Sequence, residues 1–183
     1  MLKIVVFIDW YKPAYKAGGP ISSIYNLIEL LGDEMEFYVV TSDRDLNESE
    51  ISIIDDKTTS FLDSWQAHGK DLECSYSIIN RRFIVIAVNE NINPIGGCSI
   101  DYSLQLINDI SDSIQTNLLN RLIVNYKIDN KIASVSLNDL KNKIKDGTFS
   151  PETIIFNTAI NTKGELLNNF EVDIKSSWLS KFF

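Results

Sequence analysis

The succession of apolar runs predicts an α+β protein with a ferredoxin-like β-α-β-β-α-β core, C-terminal β-α additions and an N-terminal Rossmann-like βα unit. Three observations lead there. Helical apolar spacing alternates with short β-branched runs throughout the 183 residues. A content of 44% hydrophobic and 10% aromatic residues can build a sizeable core, and 23% charged residues is an ordinary globular surface. No linker rich in Gly, Ser or Pro, no internal repeat and no low-complexity tract divides the chain. The length suits one domain, or one domain with an appendage.

Each element has its own reason. Ile4 to Ile8 is a continuous apolar run, the pattern of a strand covered on both faces in a parallel sheet. After a loop holding Pro13, Gly18, Gly19 and Pro20, the residues Ile21, Ile24, Leu27, Ile28 and Leu31 recur at helical spacing until Gly32. Phe37 to Val40 closes this βαβ unit or opens the core that follows. Ile51, Ile54, Phe61, Leu62 and Trp65 predict a helix capped by Asn47 or Ser49, with Glu50 three residues beyond Asn47. Cys74 to Ile79 and Phe83 to Val88 form a hairpin around Asn80-Arg81-Arg82. A helix from about Asp101 buries Leu104, Ile107, Ile110 and Ile114. Strands Leu122 to Tyr126 and Ile132 to Val135 flank the turn Asp129-Asn130, and Ser136 with Asp139 starts a short helix that stops at Gly147. Ile154 to Phe156 is a further strand, and Thr162 caps a last short helix. The division expected is 1–41, a βαβ fragment, and 42–183, an α+β domain.

Charge narrows the function. Seventeen Lys and Arg against 25 Asp and Glu give a net charge of −8, without a basic patch, so nucleic acid and anionic membrane surfaces are poor partners. The five-residue apolar run near the N-terminus is too short for a signal-peptide core or a bilayer span. With two cysteines and one histidine there is no standard zinc pattern, so no metal and no cofactor is expected. Free thiols suit a reducing compartment, and a cytoplasmic location follows as the expectation.

Residues Asp9-Trp10-Tyr11-Lys12-Pro13, Tyr15 to Ile21 with Gly18-Gly19-Pro20, Ser23, Asn26-Leu27 and Thr41 to Leu46 resemble the start of a GT-B glycosyltransferase of the subfamily 4-like, group 1 kind. That resemblance, over about a quarter of the chain, implies a sugar-related site in which Gly18 and Gly19 let backbone approach a substrate. It also implies a second Rossmann-like domain for the nucleotide-sugar, for which 183 residues leave no room.

Phe61, Trp65 to Lys70, Leu72, Ser75-Tyr76, Arg82 to Val88, Gly97 to Asp101, Val135 to Leu137, Phe156-Asn157 and Ser177-Trp178 carry a second resemblance. Through them residues 42–183 resemble a family of small bacterial proteins without an established activity, some of them labelled ABC-transporter ATPases. The ATPase label has no chemistry behind it here. The Gly-Lys pair Gly69-Lys70 precedes Asp71, and Ser64 stands where a phosphate loop needs its first glycine. Binding to a protein or small-molecule partner is the expected mode of action, the alternative being a truncated glycosyltransferase-like protein that holds a sugar acceptor or a partner subunit.

Cys98 lies between a double glycine and a helix start, where free N–H groups favour a thiolate. His68 could serve as its base, with Asp101 or Ser99 alongside, making Cys98, His68 and Asp101 the catalytic candidates. The other reading stays open: Cys98 as a small buried hydrophobe, His68 capping the preceding helix, and Asp101 or Ser99 as N-cap. The C-terminal Trp178, Leu179, Phe182 and Phe183 either dock on the core or anchor a partner, docking being the expectation. Asp109 and Asp112 read as solvated helix positions.

Overall fold

A computed structural model describes residues 35–183 as a mixed α+β fold with three antiparallel sheets. The segment holding Gly18, Gly19 and most of the expected Rossmann-like unit lies outside the described residues. Its closing strand lies inside: β1 (Met35–Thr41) runs antiparallel to β5 (Phe83–Asn89) through seven pairs, from Met35 opposite Asn89 to Thr41 opposite Phe83. β5 also pairs with β4 (Cys74–Ile79), giving the order β1-β5-β4. The β4–β5 turn places Asn80 and Arg81 at φ 52°, the left-handed pair a tight hairpin needs. Six of the seven β5 residues are buried, so this strand is covered on both faces, as its unbroken apolar run requires.

Helix α1 (Glu48–Leu62) crosses from β1 to β4, and α2 (Gly97–Ile114) leaves β5. They run in opposite directions. Trp65 Nε1, just past the end of α1, donates to Ser99 O at the start of α2, while Arg44, before α1, donates to Ile114 O at the end of α2. α2 begins four residues earlier than the apolar spacing suggests, and it buries Ser99, Ser103, Leu106, Ile107, Ile110 and Ile114. Leu104, expected in that stripe, is 40% exposed, because Leu106 takes the inward position.

β6 (Ile123–Ile128) departs from the ferredoxin-like order. It pairs with β7 (Lys131–Ser136) and with β8 (Ile154–Phe156), not with β1, and β9 (Glu171–Asp173) completes a second sheet of order β7-β6-β8-β9. The two sheets are joined by a buried arginine. Arg82 bonds Asp45 through Nε and Nη2, and reaches Asn125 and Ser134 through Nη1. Asn125 in turn donates to Thr41 Oγ1 at 2.6 Å. A cluster of Phe83, Phe156 and Phe170, with ring centroids 4.8 to 5.5 Å apart, adds an apolar seam.

Ser136 and Asp139 do bond each other ahead of α3 (Leu140–Lys145), although Asp139 at the N-cap gives no side-chain bond to the helix. Gly147 follows that helix at φ 78°. α4 (Lys163–Asn169) starts with the Thr162–Glu165 capping box. Leu179 is fully buried in the core of the second sheet with Phe182 packed against it, so the C-terminus docks at home. Trp178 and Phe183 stay 44% and 50% exposed.

Candidate functional site

The segment between α1 and β4 folds into a feature that apolar spacing does not show. Two very short strands, β2 (Gln66–Ala67) and β3 (Lys70–Asp71), pair around His68-Gly69, both in the left-handed region at φ 53° and 73°. A His-Gly turn of this kind is the one local signal for it. Several bonds clamp this hairpin to the start of α2. Ser99 Oγ donates to Gln66 O at 2.9 Å and Trp65 Nε1 to Ser99 O at 3.1 Å, while Asn93 Nδ2 donates to the carbonyls of Ala67 and Lys70.

The clamp carries His68 to the helix start. Its imidazole fills the space a Gly96 side chain would take, with Nε2 3.3 Å from the position of a Cβ there. Gly96 is the N-cap of α2, and it offers no side-chain bond. Three expectations are thereby corrected: neither Asp101 nor Ser99 caps α2, His68 does not cap α1, whose C-cap is Asp63, and Cys98 is exposed, not a buried hydrophobe. His68 and Asp101 are exposed as well. The structure brings His68 beside Gly96, two residues before Cys98, yet no hydrogen bond or ion pair joins Cys98, His68 and Asp101. Cys74 is the opposite case. Burial first, then the charges of Asp63 and Glu73, push its thiol up to about 12, and Sγ points at Leu62 O, 3.8 Å away.

On the side of α2 that follows Cys98 by one turn, a groove of about 710 Å³ opens between the two helices. Phe61, Trp65 and Leu106 form its floor, and of these Trp65 and Leu106 are only 4% and 7% exposed. Its walls are helical stripes. Asp56, Lys57, Ser60 and Ser64 come from α1 and the residues after it, Tyr102, Gln105 and Asp109 from α2, and Gln66 closes one end. Tyr102 is 54% exposed over the groove. Among the described residues Asp56, Lys57, Tyr102, Gln105 and Asp109 spend no side-chain hydrogen bond or ion pair on the protein.

The charges around the groove lean one way. α1 carries Glu48, Glu50, Asp55 and Asp56 against Lys57, and α2 carries Asp101, Asp109 and Asp112 with no basic residue. Arg81 and Arg44 pair with Glu48 and Glu50 at the far end, and among the described residues lining the groove Lys57 alone opposes Asp56 and Asp109. Burial raises the Asp55 carboxyl above its ordinary value, a hydrogen bond from Tyr76 opposes the shift, and the neighbouring Asp56 adds to it. Asp109, read from the sequence as a solvated position, is thus one wall of the groove. The described residues hold no group of three or more metal-ligating side chains, and no helix among them is long and apolar enough to cross a membrane. No family model, curated protein or solved structure matches the chain.

Proposed function

We propose that this chain acts by binding, with the groove between α1 and α2 as its contact surface, and that it does not hydrolyse ATP. One observation carries the reading: a half-exposed tyrosine stands over an open groove whose walls hold carboxylates, an amide and an ammonium without protein partners. Convergent polar groups around an apolar floor are the usual make-up of a binding site. The order β1-β5-β4 under two antiparallel helices supports the ferredoxin-like relationship as part of this proposal. The motifs at Trp65 to Lys70 and Gly97 to Asp101 form the hairpin and the helix start beside the groove.

The test maps contacts by amide NMR while adding ATP, UDP- and GDP-sugars, neutral trisaccharides, and acidic and basic peptides in turn. Shifts gathered on residues 56–66 and 102–109 with any one probe, without turnover, are the expected result. Release of phosphate from ATP or of nucleotide from a sugar donor overturns the reading, as do shifts gathered elsewhere. The alternative, a glycosyltransferase-like protein holding a sugar acceptor, rests on the Gly18-Gly19 motif. Calorimetric heat with a UDP- or GDP-sugar, lost in Gly18→Val, would favour it.

A further inference from the structure

We infer that the α1–α2 groove docks a basic, arginine-bearing peptide segment of a partner protein. This rests on the groove being the binding site and adds the class of its occupant. Charge complementarity is the first argument. Asp56 and Asp109 face the groove from its two walls, and among the described residues Lys57 is the one cation lining it and no ion pair neutralises either acid. The same field disfavours phosphates and nucleic acid.

The second argument is what the walls and floor can offer. Trp65 and Leu106 are nearly buried already, so little apolar surface remains for a purely hydrophobic helix to cover. Tyr102 and Asp109 lie two turns, roughly 10 Å, apart on one side of α2, so one guanidinium of the segment can lie on the ring and a second can bond the carboxylate. A planar fork suits this better than the point charge of an ammonium. Affinity built on charge and one exposed ring falls as salt rises.

The test measures fluorescence anisotropy of a labelled peptide of alternating Arg and Leu with the full chain, beside the same peptide carrying Glu for Arg. The arginine peptide binds and weakens with added salt, and the glutamate peptide does not bind. Asp56→Asn with Asp109→Asn weakens binding about tenfold, and Tyr102→Ala about fivefold. Asp129→Asn with Glu152→Gln changes the net charge equally at other exposed positions and leaves affinity within about twofold. Equal losses in both double variants would show general acidity only, and displacement by equimolar spermine would show a small polycation site; either overturns the inference. Absence of arginine-peptide binding also overturns it, but the binding reading stands if another probe maps to the groove by NMR.

Discussion

The two long helices begin in opposite ways. α1 starts with a complete capping box: Asn47 Oδ1 accepts from Glu50 N at 3.0 Å, and Glu50 Oε2 accepts from Asn47 N at 2.8 Å. The same glutamate takes two bonds from Arg44, whose guanidinium also reaches Thr116 Oγ1. α2 starts at a glycine without a side-chain acceptor, with Gly97 and Cys98 exposed and a histidine ring against the cap. What fixes α2 is Ser99, through the hairpin clamp. At the first helix start the polar groups are consumed by the fold; at the second they are left at the surface, one turn from the groove.

The largest expected contrast is in thiol chemistry. With its thiol pushed up to about 12, Cys74 is almost wholly protonated at neutral pH, and its partial burial restricts access. Iodoacetamide should therefore modify exposed Cys98 in the folded protein at least about a hundredfold faster than Cys74. Cys98→Ser should remove the fast phase, and Cys74→Ser should leave it unchanged. His68→Ala should alter the Cys98 rate by less than about twofold, since no hydrogen bond joins the two side chains. A larger fall, with a changed pH profile, would restore the Cys-His reading.

The next effect falls on the closed helix start. Glu50→Ala breaks the capping box and takes two of Arg44's hydrogen bonds, leaving those to Thr116 and Ile114, and should cost about 1–2 kcal/mol by urea unfolding. Its pH dependence has a definite sign. The Arg44 hydrogen bond holds the Glu50 carboxyl below its ordinary value, so the stabilisation is fully present above the ordinary glutamate pKa and is lost as pH falls through the lowered folded value. Wild type should lose stability across that acid window more steeply than Glu50→Gln. Parallel curves would mean the pair contributes nothing.

This contrast also marks what the sequence discloses. The capping boxes at Asn47–Glu50 and Thr162–Glu165 lie within four residues, so the spacing of an acceptor and a glutamate suffices to read them. The β4–β5 hairpin and the buried β5 are equally local, one from its turn and one from its unbroken apolar run. The clamp is not local. The bonds that Trp65, Ser99 and Asn93 make in it span 23 to 34 residues, and the strands they hold are two residues each, too short for any period. The pairing of β6 with β8 is hidden for the same reason, because element order does not reveal which edge a strand takes. Cys98 and His68 were legible as chemistry but not in their setting. The groove was missed because Tyr102, Gln105 and Asp109 form a polar stripe that a single helix cannot distinguish from solvent exposure; it takes α1 alongside to give the stripe an opposite wall.

An effect of similar size tests the clamp at the open helix start. Trp65→Phe keeps an aromatic ring in the floor but leaves Ser99 O without its indole donor, and should cost about 1–2 kcal/mol. Ser99→Ala strips Gln66 O of its partner and should cost about 1 kcal/mol. Both should also raise amide exchange across residues 66–71 more than within β5. Uniform exchange changes would place the clamp inside one cooperative core and remove the distinction between the two helix starts.

The smallest effect comes from converting the open start into a closed one. Gly96 sits at φ −99° and ψ 167°, extended backbone that any residue adopts, so a side chain there brings no backbone strain. Gly96→Ser would place an acceptor over the first turn, and serine exceeds glycine as an N-cap by only a few tenths of a kcal/mol. Reducing the freedom of the unfolded chain adds roughly 0.5 kcal/mol. Against this stands the His68 ring, whose Nε2 would lie 3.3 Å from the new Cβ and must shift by a few tenths of an ångström. Because His68 is exposed, that shift costs little, and the single variant should be neutral to slightly stabilised. In a His68→Ala background the full gain, about 0.5–1 kcal/mol, should appear. A double-mutant cycle therefore reads the contact between ring and cap directly: no coupling between the two positions would mean that His68 does not rest on Gly96 in solution, and the corner that sets it against the start of α2 would be lost with it.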